Sequence, residues 1–365
     1  MFKRLFENFV LKATDWWFRV KSPERLLINT GFGVIVAIFA GTPLVAVVLR
    51  MAFGAVPPEY QSFMRTVDAI QYWILAICTL AIVVGIGVAI KRFFRDAERE
   101  SQQRVLVVEG RGLRDDDGSP LVDAISGEVP GQRIPIFLDL RRKTDGEPVE
   151  PERALDEIAA THRSLLQYKQ VHSRRDLLTV YGGLTSVPYT FLTGVLFDDE
   201  GSIRTYDWDR VQEVWRPLDG PDDQLAFDVD GLDTARKQKE VVLALGFSYP
   251  IVNADLATTF SHSVVRLTLQ GMSSDAHWSE QKQRRLAQEF LEVVKKLSEQ
   301  GIQRIHLVFA APNSVVFNFG RRYDKRNLPE IVVYQYKKGA SPAYPWGVLM
   351  PVSGVTRPSV IYSRA

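Results

Sequence analysis

The sequence predicts an α/β protein in which two N-terminal transmembrane helices precede a soluble domain built of two Rossmann-like halves. Three observations lead there. Two long apolar runs without ionisable side chains fall in the first hundred residues. From about Val105, short β-branched runs alternate with helical patterns. That alternation repeats faintly at a spacing of about 128 residues.

The apolar runs extend from Leu26 to Leu49 and from Ile70 to Ile90. Each exceeds the roughly 20 residues that cross about 30 Å of hydrocarbon. A cleaved signal peptide is a poor match, because the first run starts late, is long, and is followed by a second. Lys3, Arg4, Lys12, Arg19, Lys21 and Arg25 precede the first run, and Lys91, Arg92, Arg95 and Arg99 follow the second. The loop between them carries only Arg50 and Arg65, so the positive-inside rule puts both termini in the cytoplasm of a two-pass protein at the bacterial inner membrane. Phe2 to Val20 interleaves aromatics with charges, as an interfacial helix does, although a disordered basic tail has the same composition. Gly33, Ala37 and Gly41 share one helix face, and Ala81, Gly85 and Ala89 share another; such faces let helices pack closely in lipid. Two spans cannot enclose a pore, so any pore needs a homo-oligomer.

The expected organisation is an amphipathic segment at 1–25, the two-helix membrane region at 26–92, a juxtamembrane linker at 93–104, and a soluble domain at 105–365 with halves of about 105–236 and 237–365. Strands are expected at Val105–Val108, Ile134–Leu140, Leu177–Tyr181, Ile203–Tyr206, Val241–Leu245, Val264–Leu269, Ile305–Ala310, Ile331–Tyr336 and Val348–Val352. Helical patterns cover Pro151 to about Val171 and Ser279 to about Gln300, the second with Leu286, Phe290, Val293, Val294 and Leu297 on one face. Strand and helix in alternation imply a mostly parallel sheet flanked by helices. Sliding the chain by about 128 positions pairs Val180 with Val308, Ser186 with Ser314, Phe191 with Phe319 and Ile203 with Ile331. The Pro-, Gly- and Asp-rich stretch Trp215 to Asp233 is expected to link the halves.

A formal net charge of +2 argues against a partner that is a DNA or RNA polymer. The single cysteine, Cys78, lies in the second apolar run, which leaves no disulfide framework and no thiolate zinc site. No nucleophile elbow, phosphate loop or His-Glu-x-x-His occurs, and His162, His172, His262, His277 and His306 show no ligand spacing. No catalytic residue, metal or cofactor is therefore expected.

Open α/β sheets bind ligands at the carboxyl ends of their strands. The loops expected there are Phe247-Ser248-Tyr249, Gln270-Gly271, Pro312-Asn313-Ser314 before a helix, and Thr185-Ser186 at the matching place in the first half. Small residues allow close backbone approach, and helix N-termini favour anions. Phe247, Tyr249, Tyr336 and Trp208 are aromatics that can stack on bases, and Arg321, Arg322, Lys337 and Lys338 are cations that can meet phosphate. The same residue types equally serve turns and caps.

The run Ile305-His306-Leu307-Val308-Phe309-Ala310-Ala311-Pro312-Asn313-Ser314, then Phe319-Gly320-Arg321 and Ile331 to Tyr336, together with Leu245-Gly246-Phe247-Ser248, resembles a SAVED domain. With two membrane helices ahead of it, the chain resembles the membrane-anchored SAVED effectors of bacterial CBASS anti-phage systems. That resemblance implies two fused CARF-like Rossmann units that bind a cyclic di- or trinucleotide made by a cGAS-like nucleotidyltransferase. It further implies ligand-driven self-assembly, and membrane helices that compromise the lipid bilayer. A membrane-bound enzyme that degrades the nucleotide and a ligand-independent scaffold are the competing expectations.

Overall fold

The computed structural model describes residues 27–37, 51, 58–112, 119–127, 129–142, 148–173, 176–197, 203–236, 238–324, 326–352 and 357–363. The chain forms two compact units, Met1–Gln102 and Gln103–Ala365.

In the first unit, helix α1 (Leu27–Ala37) is apolar but, over its described residues, too short to cross a membrane by itself. Helix α2 (Pro58–Gln102) is continuous over 45 residues, starting well before the apolar run and continuing through the basic stretch after it. Its segment Tyr72–Arg95 is long and apolar enough to span. Pro58 opens α2, where the missing N–H is not needed by the helix. The close approach between α1 and α2 is made by Gly31, whose added Cβ would lie 2.9 Å from Ile82 Cγ1 and 3.2 Å from the Cys78 carbonyl oxygen. Gly31 lies off the small-residue face expected on α1. Gly33 and Ala37 are exposed, and an added Cβ at Gly33 meets nothing within 4 Å. At about 100° per residue, Gly33 sits about 200° around the helix from Gly31. On α2, Gly85 and Ala89 are buried and Ala81 is half-buried. Gly41 and the expected interfacial segment lie outside the described residues.

The second unit holds, in chain order, β1 (Arg104–Arg111), α3 (Leu121–Ala124), β2 (Gln132–Asp139), α4 (Pro151–Val171), β3 (Leu177–Leu184), α5 (Val187–Leu196), β4 (Ile203–Asp209), β5 (Val214–Pro217) and β6 (Phe227–Asp230). There follow β7 (Glu240–Gly246), α6 (Asn253–Ala257), β8 (Val264–Leu269), α7 (Glu280–Glu299), β9 (Arg304–Ala310), α8 (Asn313–Gly320), β10 (Glu330–Gln335), β11 (Trp346–Leu349) and β12 (Ser359–Tyr362). The first sheet has the order β2-β1-β3-β4-β5 and the second β12-β11-β10-β9-β7-β8-β6. Within each, four neighbouring strands are parallel, β2-β1-β3-β4 and β8-β7-β9-β10. Strands β5, β6, β11 and β12 pair antiparallel at the margins. The halves thus share one doubly wound order, with its reversal between β1 and β3 and again between β7 and β9.

Central strands such as Val241 to Leu245 are buried on both faces, which is why they read as unbroken apolar runs. Helix α7 begins where the sequence places it: Ser279 is its N-cap, and the Ser279 hydroxyl accepts from the Lys282 amide at 3.3 Å. Leu286, Phe290, Val293, Val294 and Leu297 are its buried face. The stretch expected to link the halves also carries strands. It supplies β5 to the first sheet and β6 to the second, so the second sheet draws on residues before 237.

Helices α5 and α8 join the halves. An added Cβ at Gly194 would strike the Phe317 carbonyl oxygen, and one at Gly320 would strike the Phe191 carbonyl oxygen. These contacts are reciprocal, and the equivalent residues, Gly194 with Gly320 and Phe191 with Phe317, are each 126 positions apart, so the helices are related by a local twofold. The helix pair is therefore shifted two residues from the expected spacing of 128. Phe317 and Phe319 stand two apart, so a slipped alignment still scores an identity against Phe191. The largest core cluster runs through this junction, from Leu138, Ala154 and Phe191 to Val241, Phe290 and Phe319. Across it Tyr181 of β3 stacks on Phe317 of α8 with ring centroids 3.7 Å apart.

Candidate functional site at the paired strand edges

In both halves the reversal point is closed by backbone hydrogen bonds. The Gly112 amide donates to the Leu184 carbonyl at 2.9 Å, between the ends of β1 and β3. Between the ends of β7 and β9, the Phe247 and Ser248 amides donate to the Ala310 carbonyl at 3.0 and 2.9 Å. Beyond these closures, α5 and α8 begin side by side. The Thr190 hydroxyl donates to Asn313 Oδ1 at 2.9 Å and lies 2.7 Å from the Thr185 hydroxyl. Ser186 and Pro312 are the N-caps of the two helices. The structure thus brings Thr185, Ser186, Ser248, Pro312 and Asn313 to the same edges of the paired sheets.

Each helix start takes an acceptor from the opposite half. The Val187 amide donates to Gln335 Oε1 at 3.2 Å, and the Ser314 amide donates to Asp207 Oδ2 at 2.9 Å. An anionic acceptor therefore already occupies the positive end of α8. Ser314 is 1% exposed and belongs to a buried network rather than to an open surface. Gln283 Nε2 donates to the Ser314 hydroxyl at 2.9 Å and to the His277 carbonyl at 2.7 Å, and Asn318 Nδ2 donates to Gln283 Oε1 at 2.6 Å. The Thr205 hydroxyl donates to Asn318 Oδ1 at 3.3 Å, which ties β4 to the second half.

His277 sits against this network, 5% exposed, with Nε2 3.7 Å from Asp207 Oδ2. Burial pushes its imidazole pKa down, against the pull of Asp207. The folded chain then binds the His277 proton less tightly than the unfolded chain. Stability is full above about pH 6.5 and falls as pH drops below that unfolded value, because the unfolded state takes up the proton first. The midpoint of urea unfolding is expected to fall between about pH 7 and about pH 5, and His277→Gln is expected to flatten that slope. An unchanged slope in His277→Gln overturns the assignment.

Two expectations for the site need correction. Phe247 is 0% exposed, its ring 6.5 Å from that of Phe227 in a T-shaped pair and 5.9 Å from Lys282 Nζ, so it is a core residue with no free face. Arg321 and Arg322 close the far end of α8, at the edge where strands begin. A helix leaving the carboxyl end of β9 runs back antiparallel to it, and eight residues carry the chain about 12 Å. These arginines therefore do not share an edge with Pro312 and Asn313. Trp208 packs edge-on to Trp215 at 5.3 Å.

At the carboxyl edges themselves, Tyr249 is exposed and Gln270 Nε2 donates to Asp228 Oδ1 at 2.7 Å. Gly271 takes φ +64, a conformation that favours glycine. The Tyr336 hydroxyl donates to Asp255 Oδ2 at 3.1 Å, which raises its pKa, and its ring packs 5.4 Å from that of Tyr344. Tyr336 is 40% exposed, and Lys337 is exposed beside it. The sequence reading missed Thr190, Asp207 and Gln335, which carry inter-half hydrogen bonds, and Gln283, which ties Ser314 to Asn318 within the second half. Their signal is polarity within otherwise apolar helices or at strand ends.

Fold and edges together define the class, two equivalent Rossmann-like units on one chain that also carries an apolar helical region. The family model for the SMODS-associated and fused to various effectors sensor domain, SAVED, matches residues 158–350, and that for the SAVED-fused 2TM effector domain matches residues 3–155. The chain belongs to the SAVED family, as a sensor domain fused to a 2TM effector domain that associates with membranes. The border between the two matches falls in α4, although β1 and β2 share a sheet with β3. No curated protein matches the sequence.

Among solved structures, the chain is similar to the Acinetobacter baumannii Cap4 SAVED/CARF-domain containing receptor. With the cyclic trinucleotide 2'3'3'-cAAA the identity is 13%, over 78% of this chain and 60% of that one, at a TM-score of 0.45. With 3'3'3'-cAAA the values are 12%, 78%, 61% and 0.46. The Moraxella osloensis receptor gives 12% identity over 79% of this chain and 60% of that one, at 0.42. The chain spans about 60% of the length of these receptors.

Proposed function

We propose that the protein is a ligand-gated membrane effector without enzymatic activity. Its soluble domain binds a cyclic oligonucleotide made by a cGAS-like nucleotidyltransferase during phage infection. Binding changes how protomers associate, and the membrane helices then open a pore or disrupt the bilayer, as in CBASS abortive infection. Both termini lie in the cytoplasm, and the chain passes the membrane twice. The observation that carries this reading is the twofold pairing of α5 and α8, which sets the carboxyl edges of two equivalent sheets together in a SAVED sensor fused to a 2TM effector.

A cyclic ligand with repeated base and phosphate units suits two equivalent edges. Thr185, Ser186, Ser248, Pro312 and Asn313 offer small groups, hydroxyls and an amide there. Tyr249 and Tyr336 offer aromatic faces, Gln270 and Gly271 flank β8, and Lys337 supplies positive charge. The energy for assembly has to come from a difference in ligand affinity between the two association states.

The test is liposome leakage with the full chain reconstituted, across a panel of cyclic di- and trinucleotides. One member of the panel is expected to trigger leakage. Tyr336→Ala is expected to weaken binding of that member roughly ten- to a hundredfold, the effect of losing one stacked base. Equal leakage with and without every nucleotide rejects the gating, and full affinity in Tyr336→Ala rejects the site.

A further inference from the structure

At the opposite edge of the second sheet, where its parallel strands begin, three metal-ligating side chains converge. Glu240 opens β7, His306 lies near the start of β9, and His262 precedes β8. Glu240 Oε2 is 2.9 Å from His306 Nε2 and 3.8 Å from His262 Nε2, and the two imidazole rings stack with centroids 4.7 Å apart. One ligand atom from each residue lies within 4.8 Å of the others, and no other such trio of His, Cys, Asp or Glu occurs among the described residues.

We propose that Glu240, His262 and His306 form a binding site for a divalent transition-metal ion of the zinc class. Zinc bonds of roughly 2.0–2.1 Å at tetrahedral angles put ligand atoms about 3.3 Å apart, and the observed 2.9 and 3.8 Å bracket that spacing. Two imidazoles and one carboxylate select zinc, cobalt or nickel over magnesium or calcium, which favour oxygen ligands. Three protein ligands leave one position for water, on a side that Glu240 and His262 leave half-open.

The surroundings support the ligands. His306 Nδ1 lies 3.0 Å from the Tyr334 hydroxyl, and Phe260 packs 5.6 Å from the His306 ring. In the metal-free chain, His306 Nε2–H donates to Glu240 while Nδ1 accepts from Tyr334. With an ion bound, Nε2 gives its lone pair to the metal and the ring proton sits on Nδ1, donated to the Tyr334 oxygen. Tyr334 then becomes the partner that orients the ligand. Arg304 is held by Glu330 at 2.7 Å and faces only the other oxygen of Glu240, at 3.9 Å, which leaves Oε2 to the histidines. An ion here pins the starts of β7, β8 and β9 together.

The test uses the full chain in detergent, without a polyhistidine tag and stripped with a chelator. Zn2+ is titrated in competition with a chromophoric chelator, and Co2+ is added separately to read its visible spectrum. The expected result is one Zn2+ per chain, a tetrahedral Co2+ spectrum, and a melting temperature that rises with Zn2+. Glu240→Gln and His262→Gln, both at half-exposed positions, are each expected to weaken Zn2+ binding by about tenfold or more, and His172→Gln to leave it unchanged. A Co2+ spectrum that stays octahedral with the parent chain overturns the site. So does Zn2+ uptake that both ligand variants retain at parental affinity.

Discussion

Gly320→Val is expected to cost the soluble domain more than the about 1–3 kcal/mol typical of an overpacked core, and to split its two halves. The reason is local and severe. A Cβ at Gly320 would strike the backbone oxygen of Phe191 and lie 3.2 Å from the Gly194 Cα. Backbone cannot rotate aside as a side chain can, so α5 and α8 have to separate. Separation breaks the Thr190–Asn313 hydrogen bond and the stacking of Tyr181 on Phe317. Gly194→Val is expected to act alike, by the reciprocal contact. Gly127→Ala, where an added Cβ meets nothing within 4 Å, is the control. Thermal unfolding measures the loss, and hydrogen exchange in α5 and α8 locates it. A melting temperature for Gly320→Val equal to that of Gly127→Ala would show that the helices do not meet this closely.

Phe247→Ala is the second large effect, expected at about 3–5 kcal/mol, the usual cost of emptying a buried aromatic site. The ring is wholly enclosed, with Phe227 edge-on to it and the Lys282 ammonium over its face. Below the melting transition of both proteins, ligand affinity is expected to change only severalfold, in contrast to Tyr336→Ala. Denaturant unfolding and equilibrium binding on the same samples separate the two effects. Normal stability with lost affinity would return Phe247 to the ligand surface.

The sequence made the scaffold readable wherever burial is two-sided or a cap is strong. The apolar runs beginning at Val105, Val241 and Ile305 are central strands, and Pro151 and Ser279 mark real helix starts. The antiparallel strands β5, β6 and β12 were not readable. Phe227-Asp228-Val229-Asp230 alternates apolar and polar over only four residues, inside a Pro-, Gly- and Asp-rich stretch, and its pairing is supplied by β8. The orientation of Phe247 was hidden for a related reason, because a strand buried on both faces carries no alternation to say which way the next side chain turns. The edge at which Arg321 and Arg322 fall follows from the topology alone. A helix that follows one parallel strand and precedes the next has to return to the starting edge, so residues at its two ends belong to different edges. The meeting of Glu240 with His306 needed the parallel register that sets Val242 opposite His306, and no sequence spacing encodes that register.

The two acceptors that enter the helix starts are not the same. Asp207, a carboxylate, serves α8, and Gln335, a neutral amide, serves α5. Two identical chains around a twofold axis are bound to present the same residue twice. A duplicated domain on one chain is free of that obligation, and here it has used the freedom: one side of the axis is charged and the other is not. A ring-shaped molecule laid across such an axis lies over chemically different supports at each of its repeats. It can therefore be held in one rotational setting, and isomers that differ in a single linkage become distinguishable.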